Sequence, residues 1–336
     1  MSSRVSREQL DRIAQFYALD APAVDSLLDL AETRPTAADS RDFLARCARY
    51  GGVLSLASGV VFFVAANWSR IAVFGRFALL ESLLVALVAV ALYKPPPRFL
   101  GRAATFLAFI VSGALLALFG QTYQTGADVY ELFLTWAVIG LPFVVFAQWG
   151  VASAAWVLVL NTALLLFCGW HPRGGLLWLV FDGTRFTPTH AIVAAAYVNL
   201  VLWWVFEKLE LAAVPEWVRR LALACGLAFV TWAGILGIAG GDIVFNRHEP
   251  QGFTLIASFA AMAIVGVLAL VRRRDVYPLA LVMGSFIIVS LVWIAKTVKS
   301  GDASTFFLMA IWLIGSSTLG GRILMSLMRR WRVAEA

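Results

Sequence analysis

Asp128 and Glu131 stand three residues apart in the run GQTYQTGADVYE, residues 120–131, beside Gln121, Tyr123 and Gln124. Amides and a phenol can donate to and accept from a polar solute, and two carboxylates add attraction for a cation. That chemistry is a binding vestibule. The same residues have a plainer use. Acids at a helix start favour the positive end of its dipole, so Asp128 or Thr125 can cap a helix beginning at Val129, with Glu131 in support. If the preceding helix continues past Gly120, then Gln121, Gln124 and Asp128 share one face. Gly126 argues that the helix breaks first.

A third carboxyl, Glu81, lies in an apolar stretch near 72–93. At about 1.5 Å per residue it falls roughly 15 Å into an apolar layer about 30 Å thick. An ionised carboxylate at that depth is costly and rarely faces lipid. Glu81 is therefore read either as a proton- or ligand-binding group or as a neutral packing group. Asn67, in VAANWSR, falls at the layer's edge beside Trp68, an ordinary interfacial anchor. Asn161 and Asn199 fall inside apolar stretches, where amides are expected to hydrogen-bond across helices.

Signatures of catalysis are missing. The sequence has no GxxxxGK[ST], no HExxH and no GxSxG. Cys47, Cys168 and Cys225 form no CxxC, and His171, His190 and His248 are read as surface histidines. No catalytic residue, metal or cofactor is expected.

The elements that position these groups follow from composition. Of 336 residues, 61% are hydrophobic and 14% charged. A soluble domain carries about 25% charged residues, so this chain cannot cover a water-facing surface. The reading is an all-α polytopic transmembrane bundle whose surroundings are the lipid bilayer. Apolar runs of spanning length lie near 50–66, 72–93, 102–119, 129–147, 150–169, 190–207, 220–240, 252–271, 276–295 and 303–325, about ten spans. With the N-terminus inside, 20 of the 27 Lys and Arg fall in inside segments and 7 outside. The net charge of +7 is thus read as positive-inside topology with both termini cytoplasmic, and not as a nucleic-acid surface. Run 120–131 then falls outside.

Residues 1–48 read as a cytoplasmic helical head, 49–326 as the transmembrane domain and 327–336 as a basic cytoplasmic tail. In the head, Ser6 can cap a first helix carrying Leu10, Ile13, Ala14 and Tyr17 at helical spacing. Asp20 caps a second that carries Val24, Leu27, Leu28 and Ala31, and Pro35 ends it. A basic amphipathic helix then leads into the membrane.

Two segments carry a resemblance. GVVFFVAANWSRI (59–71) and ALFGQTYQTGADVYELFLTWAVIGLPFV (117–144) together resemble the bacterial predicted-membrane-protein family called domain of unknown function 2157. The likeness covers about the first 150 residues and extends to layout, a short helical head followed by spans. It implies a bacterial inner-membrane location and supplies no catalytic residue. Asn67, Trp68, Gln121, Tyr123, Gln124 and Asp128 match the family's motif, and the first 48 residues depart most from its pattern. The expected function is a transporter or small-solute permease, with a polar outer vestibule for a small polar or cationic solute and Glu81 at mid-membrane. The alternative is a scaffold or sensor whose head, residues 1–48, binds a cytoplasmic protein partner.

Overall fold

The computed structural model describes residues 7–31, 37–66, 71–123, 126, 128–169, 188–209, 214–239, 251–273, 275–298 and 303–335. Among them every regular element is helical. In chain order these are α1 (Arg7–Phe16), α2 (Ala21–Leu30), α3 (Ala37–Ala66), α4 (Val73–Tyr93), α5 (Phe99–Tyr123) and α6 (Val129–Ala147). Then come α7 (Gly150–Gly169), α8 (Pro188–Leu209), α9 (Glu216–Ala239), α10 (Gln251–Leu268), α11 (Val276–Val298) and α12 (Ala303–Glu335). A π-helical turn, Ala269–Arg273, closes α10. Helices α4–α12 are each long and apolar enough to cross a membrane. With the apolar part of α3, 50–66, the expected count of about ten is met.

The chain divides into two compact units, one holding α1–α3 and the other α4–α12. In the first, the Asp20 carboxylate accepts the Ala23 N–H at 3.1 Å, so Asp20 caps α2 as its residue type predicts. Leu10 of α1 is buried. Helix α3 runs without a break for 30 residues, so the boundary read at 48/49 falls within one helix.

In the second unit α9 is the helix at the centre, packed against α7, α8, α10 and α11. Small residues make that possible. A side chain at Gly226 would press on Asn199 of α8, and one at Gly234 on Val289 of α11. In lipid, where tails are as apolar as leucine, such close approach supplies much of the packing energy.

Buried polar pairs add ties between neighbours. The Asn161 amide of α7 donates to Asn199 Oδ1 at 3.0 Å, and Asn199 is fully buried. Both amides thus play the interhelical part expected of them. Thr231 of α9 donates to Ser285 Oγ of α11 at 2.8 Å, and Tyr197 of α8 donates to the Ala257 carbonyl of α10 at 3.0 Å. Replacing Asn199 by alanine is expected to cost about 0.6–2 kcal/mol, read from thermal unfolding in detergent.

The connections rich in Lys and Arg meet at one end. Trp149, between α6 and α7, lies edge-on to Phe99 and Phe106 of α5. Gly150 abuts Pro215. Arg219 pairs with Glu207 at 3.3 Å, and Arg220 approaches Asp275 at 3.6 Å. Arg98, Lys208, Arg219 and Arg220 therefore belong to the same end of the bundle, called the basic end below. The narrow break between α6 and α7 is real. Gln148 takes a left-handed conformation, φ 46°, and the helix restarts at Gly150.

Candidate functional site

Helix α5 continues past Gly120 to Tyr123, so Gln121 is helical. The chain then turns at Gly126, whose φ of 67° suits a residue without a side chain. Asp128 follows in extended conformation at the N-cap of α6. The helix passes Gly120 but ends at Tyr123, before Gly126, so the break holds and Asp128 does not share a face of α5 with Gln121.

What fixes this hairpin lies deeper. The rings of Phe109 in α5 and Trp136 in α6 stack at 5.2 Å, and Trp136 Nε1 donates to the Phe109 carbonyl at 2.9 Å. Each ring fills the space where the other helix carries glycine. The Trp136 indole occupies the place a side chain would take at Gly113, and the Phe109 ring does so at Gly140. Trp156 of α7 donates to the Ala137 carbonyl at 2.7 Å and ties the next helix on.

At the end opposite the basic loops, α5 and α6 leave a groove of about 790 Å³. Gln121, Asp128, Glu131 and Thr135 give it a polar side, and Leu116 and Leu132 an apolar one. Among the described residues that line it there is no Lys, Arg or His. The Asp128 side chain makes no capping hydrogen bond, although Asp128 holds the N-cap position and its carbonyl accepts the Glu131 N–H at 3.0 Å. The capping role is therefore met by position and backbone, while the carboxylate does not bond the helix start. Glu131 Oε1 accepts the hydroxyl of buried Tyr130 at 3.2 Å, which directs one oxygen inward. Two acids at the positive end of α6, backed by an apolar wall, can hold a small cation that carries hydrocarbon.

The structure brings together Gln121, Asp128 and Glu131. It sets two expected residues apart. Tyr123 is exposed and lies against the rings of Phe77 and Phe119, outside the groove. Glu81 is on the exposed face of α4, one turn after Phe77, and does not line the groove either. Asn67, Trp68, Gln124 and Thr125 lie outside the described residues, as do His171 and His248. His190 stacks on Phe253 at 5.1 Å. Among the described residues no three of His, Cys, Asp and Glu gather to hold a metal. Thr135 was missed. It follows Glu131 by one helical turn on the same face of α6, so spacing alone could have found it.

Residues 2–153 match the family Predicted membrane protein (DUF2157). The match covers just under half of the chain and takes in α1–α6, so the groove lies wholly within the DUF2157 region. It begins at residue 2 and so takes in the head. Helices α8–α12 lie beyond it. No curated protein and no solved structure matches the chain.

Proposed function

We propose that this chain is a bacterial inner-membrane protein, with both termini cytoplasmic, that takes a small cationic solute into the α5–α6 groove as the entry vestibule of a permease. The lining carries the reading: its described residues include two carboxylates and an amide and no basic residue, over an apolar wall. The loop charges support an outer position for the groove, since 20 of 27 Lys and Arg are assigned to inside segments when the N-terminus is taken as cytoplasmic. Glu81, at mid-depth but outside the groove, would act as a separate proton-binding carboxyl.

The test uses full-length protein with tetramethylammonium, putrescine and potassium as probes. At least one is expected to raise the unfolding temperature. Asp128→Asn and Glu131→Gln should each weaken its binding about tenfold, the loss of one charge-assisted contact. No shift with any probe, or a shift that survives in the double variant, removes the vestibule. In liposomes, flux of the same probe should fall in Glu81→Gln; unchanged flux excludes Glu81 from the path.

One observation favours the second reading, a head that binds a protein. Phe16 and Leu30 are 82% and 84% exposed in the unit of α1–α3. Large apolar side chains left open there suit a partner surface. The variant Phe16→Asp with Leu30→Asp should lose co-purifying proteins that the parent retains; an unchanged set counts against a partner.

A further inference from the structure

A second groove, of about 810 Å³, lies among α10, α11 and α12. Its walls are almost wholly hydrocarbon. The two polar side chains in the lining are already bonded within the protein: Trp312 Nε1 donates to Ser290 Oγ at 2.8 Å, and Ser316 donates to the Leu313 carbonyl at 3.3 Å. A polar solute entering here would lose its hydration and regain little. Gly266 of α10 and Gly315 of α12 leave hollows in the walls, since nothing lies within 4 Å of where their side chains would begin.

Length and depth narrow the occupant. Along α12 the groove runs from Ile311 to Ile323. At 1.5 Å per residue that is about 18 Å, close to one leaflet of a hydrocarbon core about 30 Å thick. Its position is also one-sided. Leu279 is three residues inside α11, which starts at the basic end beside Asp275. The Trp312–Ser290 bond and the contact of Gly320 with Met283 set α12 antiparallel to α11, so Ile323 lies at that same end. The groove thus opens at the basic end and closes near mid-depth.

Charge gathers where it opens. Arg322 is exposed next to Ile323, and Arg329 and Arg330 are exposed on the following turns of α12. Each basic residue at a membrane surface contributes about 1 kcal/mol toward anionic lipid.

We propose that this groove is a binding site for an anionic phospholipid, one acyl chain lying between α10 and α12 and the phosphate held at Arg322 with Arg329 and Arg330. The hydrocarbon walls select a chain, and the three arginines select the headgroup. An uncharged lipid with the same chains would fit the groove and lack the second contact.

The experiment counts retained lipids by native mass spectrometry on full-length protein, after exchange into detergent with equal dioleoyl phosphatidylglycerol and dioleoyl phosphatidylcholine. The parent should retain phosphatidylglycerol at least about fivefold over phosphatidylcholine, the ratio for one arginine's contribution taken alone. The triple variant Arg322→Gln, Arg329→Gln, Arg330→Gln should remove that preference while lipid still binds. Gly315→Leu grows into open space and should reduce both lipids to background. Gly266→Leu blocks the groove from the opposite wall and serves if Gly315→Leu fails to fold. Equal retention of the two lipids by the parent, or parent-like retention in the folded leucine variant, overturns the proposal. A dimer in nanodiscs that Gly315→Leu dissociates would assign the groove to a second copy and overturn it as well.

Discussion

Gly140→Leu is expected to lower thermal stability sharply and to remove cation binding at the α5–α6 groove with it. The Phe109 ring occupies the space at Gly140, so a leucine there must displace an aromatic that is itself fully buried and stacked on Trp136. Overpacking of a dense site costs about 1–3 kcal/mol and more where the neighbour cannot yield. Phe109 can yield little, because its carbonyl also receives the Trp136 indole N–H. Two controls isolate the cause. Val138→Leu, on the exposed side of the same helix, should change nothing. Phe109→Ala alone should cost about 3–5 kcal/mol through its cavity, and the double variant should cost less than the two singles together. A strictly additive pair would mean that ring and glycine do not share the space.

The second large effect is at the basic end. Glu207→Ala should destabilise far more than Glu216→Ala, in unfolding by heat or denaturant. Glu207 holds Arg219 at 3.3 Å with their side chains only 11% and 23% exposed. Removing it leaves a guanidinium whose Nε is already buried without a partner. Breaking a buried pair in this way costs about 3–5 kcal/mol, and solvent at this rim keeps the loss toward the lower bound. Glu216 also pairs with an arginine, Arg220, but the two side chains are 60% and 42% exposed. Such a surface pair is worth about 0–1 kcal/mol. Near-equal losses in the two variants would show that α8 and α9 are held by their apolar contact alone.

The spans were readable because length and apolarity are one-dimensional properties. Each apolar run became one helix, and even the short interval at Gln148 and Trp149 was enough to end α6 and restart the chain. Which side of a span faces inward was not readable. In a bilayer both faces of a helix are apolar, so Phe109 looks like any other phenylalanine until Gly140 is found opposite it. The centrality of α9 was hidden for the same reason. Asp128 shows a subtler limit. Residue type and position placed it at an N-cap, and it is there, yet the side chain does not make the bond that usually explains such an acid. Glu81 marks the converse. Its depth follows from counting, whereas its place on the outer face of α4 needed the helix's packing against α5.

One consequence concerns α3. Its 30 residues make a rod of about 45 Å, of which the apolar part accounts for little more than half. The helix stays continuous through Gly51 and Gly52, where Arg49 gives way to the apolar segment. A continuous helix fixes the angular relation between its two parts by residue count. One residue inserted near Arg49 would turn everything before it by about 100° relative to everything after it and lengthen the rod by about 1.5 Å. The side of the shaft that Arg41, Arg46 and Arg49 occupy relative to the apolar segment is therefore a matter of phase, set by residue count along α3.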